Sequence, residues 1–266
     1  MTRRYDMEHP VRHRGGGGSW REVRDAVAGD GSCVVYAAVD DWVPADPGAP
    51  GLAADLGPDD HARLVRMPAS RNRDRFVAAR LLLKSAAGAV LDALPHELEL
   101  AYKPGGRPYL RGIGHLDVGL SHTEGLLVVG LTRVGRIGVD TEPADRRMLE
   151  LGTEHQACTP HELAALERVP PERRNRELVR LWTLKEAYSK AIGQGLRFRF
   201  TEFGFGPPVG SPGGPTRMLR PDGTPGAGRE WTFHSWRVED ARTAYTVSAA
   251  VHDPGFDDRA PVPVER

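Results

Sequence analysis

The chain has 266 residues, of which 39% are apolar and 27% are charged, and its 36 basic residues equal its 36 acidic ones. At roughly 150 residues per domain, this length predicts one or two domains and enough chain to bury a core. A net charge of zero argues against a general nucleic-acid binder, which needs an excess of Lys and Arg to neutralise phosphates. No run approaches the roughly 18 apolar residues that span a bilayer, so no membrane association is expected.

The cysteine content indicates the redox setting of the protein. Cys33 and Cys158 are its two cysteines, and there is neither a CxxC pair nor a framework of bridges. This pattern predicts a reducing, cytoplasmic environment. Ordinary burial of a small residue explains each cysteine better than a reactive thiol does.

The 31 glycines and 22 prolines are concentrated in a few segments. Residues 1–19 contain a run of four glycines and are predicted to form a disordered tail, and residues 257–266 a second tail. Residues 41–58 are predicted to be an acidic connection, and residues 204–230 a long loop. The remaining sequence has the pattern of an ordinary globular enzyme.

In the first half of the chain, a short apolar run at residues 33–39 predicts a buried strand. Ser70 is a predicted N-cap, and apolar residues spaced by seven predict a helix from Arg71 to about Ala93. Three further strands are predicted at residues 98–102, 116–121 and 126–131.

The second half begins with a predicted strand at residues 137–142. Thr159 and Glu162 form a capping box around Pro160, which is a strong start signal for a helix. A long helix is predicted from about residue 171 to residue 192, where a glycine follows. Two strands are predicted to close the chain, at residues 231–238 and 244–251.

The two long helices share a faint similarity. Residues 80–86, RLLLKSA, resemble residues 181–187, LWTLKEA, and a predicted strand pair follows each helix. The similarity suggests two related α/β halves. Chance resemblance between two amphipathic helices explains it equally well at this point.

Two carboxylates lie at the end of the predicted strand 137–142. Asp140 and Glu142 are two positions apart, so their side chains project from one face of the strand. Neighbouring carboxylates repel each other unless a proton or a cation neutralises them, and Mg²⁺ prefers oxygen ligands. A solvated strand end is the commoner meaning of such a pair.

Glu186 and Lys190 are four positions apart on the second long helix and therefore share a face. A surface ion pair is the commoner meaning of that spacing. Trp182 lies one turn earlier on the same face, and a mixture of aromatic and charged side chains is not typical of a simple solvated surface.

Two other groups of residues suit phosphate binding. Ser121 and His122 stand at a strand end, but neighbouring side chains on a strand point to opposite faces, so they are poorly placed to act as nucleophile and base. A structural histidine is an equal alternative. Residues 61–80 contain six arginines and one acid, which indicates either a solvated face or a seat for a multiply phosphorylated ligand.

These motifs occur in a specific order. Gly106-Arg107-Pro108 is followed by Ser121-His122, then by IGVDTE at residues 137–142, and about 40 residues later by WTLKEAYSKAIGQGL at residues 182–196. This order resembles the Sfp-type 4′-phosphopantetheinyl transferases, whose pattern is (V/I)G(V/I)DxE followed by WxxKE(A/S)xxKxxGxGL. The chain matches every fixed position of that pattern, and the resemblance covers approximately residues 32–253.

The resemblance implies an α+β fold, a pseudodimer of two similar α/β halves, each a small, mostly antiparallel sheet packed on a long helix. The implied halves are residues 20–136 and 137–256, with the active site between them. The implied activity is transfer of the 4′-phosphopantetheine group of coenzyme A to a serine of an apo acyl or peptidyl carrier protein, with release of 3′,5′-ADP. A monomer is expected, because one chain contains both halves.

Residue roles also follow from the resemblance. Asp140, Glu142 and Glu186 are expected to hold Mg²⁺ on the coenzyme A pyrophosphate. Lys190 is expected to contact the phosphate, and Glu186 to be the general base for the carrier serine, directly or through water. Asp140, Glu186 and Lys190 are therefore the predicted catalytic residues. The residues expected to contact the nucleotide and its phosphates are Arg63, Arg71, Arg80, Arg107, Ser121, His122 and Lys190.

Two other functions remain open from the sequence. The same carboxylates could serve a Mg²⁺-dependent phosphohydrolase. A catalytically inactive homologue could instead only bind carrier protein or coenzyme A, although the intact acidic residues and Lys190 argue against it.

Overall fold

The computed structural model describes residues 7, 9–15, 17–46, 49–194, 198–210, 213–226, 230–240 and 243–255. The predicted tail 257–266, parts of the predicted tail 1–19 and of the loop 204–230, and Gly195 and Leu196 of the second motif lie outside these residues. Among the described helices, none is long and apolar enough to cross a membrane.

The first half of the chain carries strands at both ends and helices between them. The elements are β1 (Val11–Arg12), α1 (Arg21–Asp30), β2 (Ser32–Ala38), α2 (Pro50–Leu56), α3 (Pro58–Arg66), α4 (Arg71–Leu91), β3 (Leu100–Tyr102), β4 (Pro108–Leu110), β5 (Asp117–His122) and β6 (Leu126–Thr132). The helix α4 begins as predicted, because the Ser70 hydroxyl accepts a hydrogen bond from Arg73 N. It ends at Asp92, whose backbone is left-handed.

The second half starts with the strand that carries the first motif. Its elements are β7 (Arg136–Pro143), α5 (Glu154–Ala157), α6 (Pro160–Arg168), α7 (Pro171–Ile192), β8 (Gly204–Phe205), β9 (Met218–Leu219), β10 (Trp231–Asp240) and β11 (Thr243–His252). The capping box of α6 is confirmed, since Thr159 Oγ1 accepts from Glu162 N and Glu162 Oε2 accepts from Thr159 N. The bounds of α7 are those predicted, and Gly193 ends it in a left-handed conformation.

The two halves repeat one topology. In the first sheet the order β2-β6-β5 places β2 beside the last strand of the hairpin that follows α4. In the second sheet the order β7-β11-β10 places β7 in the same way beside the hairpin that follows α7. Each half is therefore strand, long helix and antiparallel hairpin, with the first strand paired to the last. This arrangement confirms the predicted α+β pseudodimer.

The sheets are stacked between the two long helices. In β2 and β6, Val35 and Val129 face the core under α4, while Val34 and Val128 face the second sheet. This burial on both faces explains why these strands read as continuous apolar runs rather than as alternating ones. On the other side, α7 covers β11 and β10, with Leu184 in the core.

Some segments differ from the sequence predictions. Within the predicted tail 1–19, β1 pairs in parallel with β2, and Met7 and His13 are buried. Within the predicted loop 204–230, β8 pairs with β9. These short strands exist through partners that are distant in sequence, which local Gly and Pro content does not reveal. The division into residues 20–136 and 137–256 stays a prediction.

Candidate active site

The predicted site residues of the two halves meet where β5, at the edge of the first sheet, lies against β7, at the edge of the second. The backbone N of Ile137 donates a 2.8 Å hydrogen bond to Asp117 Oδ2. A Cβ on Gly119 would lie 3.2 Å from the Ile137 carbonyl oxygen, so the glycine permits this close approach. The ends of both strands, with Ser121 and Asp140, are thereby brought side by side.

Asp140 is the centre of a small polar network. Its Oδ1 accepts hydrogen bonds from Ser121 Oγ at 2.9 Å and from Lys190 Nζ at 2.5 Å, and Lys190 Nζ also lies 3.0 Å from Ser121 Oγ. Asp140 is 5% exposed, and its Oδ2 is buried without a hydrogen-bond partner. A buried carboxylate oxygen without a partner is costly, so this atom marks a place for a cation or a donor.

Glu142 projects from the same face of β7 and has a different counter-ion. Its Oε1 accepts a hydrogen bond from Arg146 Nη1. The guanidinium carbon of Arg146 also lies 5.8 Å from the centre of the Trp182 ring. Burial and the negative charge of Asp140 raise the pKa of Glu142, while Arg146 and Lys190 oppose that change.

Glu186, on α7, is the third acid of the site. Asp140, Glu142 and Glu186 together are called the acidic group. Burial raises the pKa of Glu186 to about 7, and the charges of Asp140 and Glu142 add to the effect. The three neighbouring carboxylates, two of which have a raised pKa, form together with the unpartnered Asp140 Oδ2 a donor set that fits a hard divalent cation. In the described part of the chain, no three His, Cys, Asp or Glu side chains converge as a metal site. Within the acidic group, Lys190 forms an ion pair with Asp140, and Arg146 forms one with Glu142.

A cleft of about 210 Å³ opens beside this group, between the halves, and Arg107, Gly138, Glu186 and Lys190 are among its lining residues. Arg107 bridges the halves: its guanidinium pairs with Asp117 and donates to the carbonyls of Ile137 at 3.1 Å and Lys190 at 3.2 Å. Since these donors are engaged by protein acceptors, the structure shows a bridging role, and contact with a nucleotide stays a prediction.

The three arginines of residues 61–80 that are predicted to bind phosphate are not in one place. Arg80 is buried, with Nε 3.5 Å from Asp60 and its guanidinium 3.8 Å from the Phe76 ring centre. Arg63 lies over the same ring at 4.9 Å. Arg71 instead forms an exposed ion pair with Asp40 at 2.7 Å. Their roles stay predictions, and Arg80 already has a carboxylate partner.

Arg75, one of the six arginines of residues 61–80, is a further candidate for phosphate binding that the sequence motifs do not indicate. Desolvation by surrounding protein lowers the pKa of His122, and the charges of Arg75, Arg80 and Lys190 lower it further. The charge of Arg75 therefore acts on His122. The available signal was its spacing of four from Arg71, which puts both on one side of α4.

A larger cavity, of about 720 Å³, lies elsewhere in the molecule. Its lining includes Arg173, Arg176 and Arg180 of α7 together with Tyr36 and Trp236. None of the predicted site residues lines it. Two of the predicted catalytic residues thus line the smaller of these two cavities.

Comparison with known proteins finds a similarity that lies in the second half of the chain. Residues 136–249 match the model of the 4′-phosphopantetheinyl transferase superfamily. This part of the chain is similar to that superfamily. The matched residues include Asp140, Glu142, Glu186 and Lys190, so the acidic group and its lysine lie within the superfamily region. The predicted phosphate contacts of the first half lie outside it.

Relatives of the same superfamily extend the similarity. The chain is 34% identical over 151 residues to a Synechocystis protein provisionally named a 4′-phosphopantetheinyl transferase, covering 55% of this chain and 61% of the relative. It is 32% identical to the Nostoc 4′-phosphopantetheinyl transferase HetI, covering 54% and 62%. A Thraustochytrium phosphopantetheinyl transferase is 29% identical over 83% of this chain and 78% of its own. The chain thus spans about three fifths of the length of the first two relatives.

Proposed function

We propose that this protein transfers the 4′-phosphopantetheine group of coenzyme A to a serine of an apo acyl or peptidyl carrier protein and releases 3′,5′-ADP. The observation that carries the proposal is the buried Asp140, held by Ser121 and Lys190 at the junction of the halves. It lies within the region that matches the transferase superfamily. The names of the relatives support the same reaction.

We infer further that Asp140, Glu142 and Glu186 hold Mg²⁺. Their oxygen donors, the raised pKa values of Glu142 and Glu186 and the unpartnered Asp140 Oδ2 support this assignment. When bound, the ion supplies positive charge that neutralises the pyrophosphate and the departing 3′,5′-ADP.

The residues of the chain contribute position and proton transfer. In the reaction, the carrier serine oxygen forms a bond to the phosphorus that bears pantetheine, and the bond from that phosphorus to the oxygen of 3′,5′-ADP breaks. Glu186, which lines the cleft, would accept the serine proton, directly or through water. The Lys190 ammonium, already beside Asp140, would offset the negative charge of the pyrophosphate.

The positive region of the first half would hold the nucleotide phosphates. Arg75 and His122 are the favoured contacts, because the charge of Arg75 is close enough to His122 to lower its pKa, after the larger effect of burial. Arg63 is a further contact at the end of α3. Ser121 and Arg107 would act mainly through the protein groups that they hold in place.

We also infer a monomer, because one chain supplies both halves of the site. A cytoplasmic location accords with Cys33 and Cys158, which are both free and buried. The reaction involves no nucleic acid, in keeping with the zero net charge.

The test is to incubate the full chain with coenzyme A, Mg²⁺ and apo carrier proteins of the acyl and peptidyl classes, and then to determine each carrier's mass. The expected result is gain of one phosphopantetheine group on at least one carrier. No gain on any carrier would refute the proposal and leave the inactive binding homologue. Hydrolysis of coenzyme A without a carrier would favour the phosphohydrolase.

A further inference from the structure

Two basic side chains form ion pairs with the acidic group, and one of them lies outside the two sequence motifs. Lys190 belongs to the second motif and neutralises Asp140. Arg146 belongs to neither motif and neutralises Glu142. Glu186 has neither an ion pair nor a side-chain hydrogen bond among the described contacts.

The backbone of Arg146 is anchored, whereas its side chain is partly exposed to solvent. Its N donates to Pro143 O at 3.0 Å, and its O accepts from Asn175 Nδ2, on α7, at 2.8 Å. Asn175 Oδ1 in turn accepts from Met148 N at 3.0 Å. The side chain of Arg146 is 41% exposed, whereas that of Glu142 is 19% exposed. The guanidinium can therefore turn into solvent without moving the backbone.

We propose that Arg146 is an internal competitor of the divalent cation for Glu142: it holds this carboxylate in the metal-free protein and leaves when Glu142 becomes a ligand. The inference rests on the cation assignment in the proposed function. A guanidinium on Glu142 Oε1 and a divalent cation on the same carboxylate repel each other at close range. The cation must therefore displace Arg146, and that displacement weakens its binding.

Arg146 also has a stabilising role that explains its presence. If both the divalent cation and Arg146 were absent, Asp140, Glu142 and Glu186 would share Lys190 as their nearby counter-ion. The three carboxylates would then repel one another. Arg146 relieves that repulsion and stacks against Trp182. The same contact thus stabilises the metal-free protein and lowers its affinity for the cation.

The test measures Mn²⁺ binding to the metal-free full chain, without coenzyme A, by the loss of the electron paramagnetic resonance signal of free Mn²⁺. We expect Arg146→Gln to lower the Kd for Mn²⁺ about tenfold, the order expected for removing one like charge from a partly exposed site. The matched control is Arg147→Gln, because Arg147 is the next residue, is 80% exposed and pairs with Glu150 away from the acidic group. Its Kd should equal that of the wild type.

A second substitution and a second measurement separate this effect from a general change in charge. In the double variant that also carries Glu142→Gln, the gain in Mn²⁺ affinity should disappear, because the carboxylate for which Arg146 and the cation compete is then absent. Thermal unfolding without metal should show a lower Tm for Arg146→Gln than for Arg147→Gln, and saturating Mn²⁺ should reverse the order. Equal or weaker Mn²⁺ binding by Arg146→Gln would overturn the proposal.

Failure of the cation assignment would look different. If neither the wild type nor Arg146→Gln binds Mn²⁺, the three carboxylates are not a metal site and the competition does not exist. The carrier mass assay would still report transfer independently. A transferase that modifies its carrier, yet shows unchanged Mn²⁺ affinity in Arg146→Gln, would refute the role of Arg146 alone.

Discussion

At the scale of single residues, Asp140 connects the two halves of the site. It lies on the first strand of the second half, and it accepts hydrogen bonds from Ser121 of the first half and Lys190 of α7. Its other oxygen is buried and unpartnered. Asp140 is therefore the residue whose charge, rather than whose volume, we expect to matter for transfer.

The substitution Asp140→Asn tests that expectation. It preserves the shape of the side chain and removes the charge, so we expect transfer to fall by at least about 100-fold, the order found when one electrostatic group is removed from an active site. The rate of mass gain on the carrier is the measurement. Asp145→Asn, an exposed acid five positions later, is the control and should retain the wild-type rate. An active Asp140→Asn protein would contradict the proposed role.

Glu186 predicts a pH dependence of stability for the metal-free protein. Its pKa is about 7 in the folded protein and lower, near the ordinary glutamate value, in the unfolded chain. The folded state therefore binds the extra proton between those two values, and the protein loses stability as the pH rises through about 7. Glu186→Gln removes this loss. We expect its Tm, relative to wild type, to increase between pH 5 and pH 8.

The control for that prediction is Glu167→Gln, an exposed acid on α6. Its Tm difference from wild type should stay constant over the same pH range. A constant difference for Glu186→Gln as well would mean that Glu186 titrates normally, which would also weaken its assignment as the base.

At the scale of elements, the fit of α7 against β7 explains one fixed glycine of the first motif. A Cβ on Gly138 would overlap the backbone of Ala187 and Ala191. The glycine thus lets β7, with Asp140 and Glu142, approach the helix that carries Glu186 and Lys190. Its role is to set the distance between the two motifs.

Gly138→Ala should therefore destabilise the fold by about 3 kcal/mol or more, because the backbone cannot relax around the added methyl group. Gly29→Ala is a matched control, since Gly29 lies in α1 with nothing within 4 Å of an added Cβ. It should stabilise the protein by up to about 1 kcal/mol through helix propensity. Urea unfolding measures both. A Gly138→Ala protein as stable as wild type would rule out the close-packing explanation.

Lys185, the residue before Glu186, links α7 to its neighbouring elements. Lys185 is 0% exposed, and its ammonium donates to Glu162 Oε2 and to the carbonyls of Ala157 and Phe200. It therefore ties α7 to α5, α6 and the segment that follows α7. Adjacent fixed residues of one motif thus serve different purposes, Lys185 in packing and Glu186 in the cleft.

At the scale of the whole molecule, Arg107 holds the two halves together. It is anchored to Asp117 of the first half and donates to Ile137 and Lys190 of the second. Its side chain is 8% exposed. Because the cleft lies between the halves, their relative position decides whether the acidic group and the positive region face the same ligand.

Arg107→Met should lower the free energy of unfolding by about 3–5 kcal/mol, because it leaves the Asp117 carboxylate without its counter-ion. Arg111→Met is the control: Arg111 pairs with Glu99 in an exposed position, so the expected change is within about 1 kcal/mol. Urea unfolding distinguishes the two. If Arg107→Met left stability unchanged and raised only the KM for coenzyme A, Arg107 would be a nucleotide contact rather than a bridge.

Local sequence was sufficient for the elements whose formation depends on near neighbours. The Ser70 cap, the Thr159–Glu162 capping box and the limits of α7 were all predictable, because the bonds that define helix ends join residues three to five positions apart. The strands of both hairpins were predictable from apolar runs and β-branched residues. The short strands β1, β8 and β9 were not, since each depends on a distant partner.

The sequence by itself determined the fold class, the resemblance to the transferase superfamily and the residue types of the acidic group, because ordered motifs and helix signals are properties of the chain alone. Only the tertiary structure decided which charges meet. It placed Lys190 on Asp140, Arg146 on Glu142 and Arg80 on Asp60. The physical reason is that a charge acts over several ångströms of space through whatever surrounds it, and no spacing along a sequence specifies that distance.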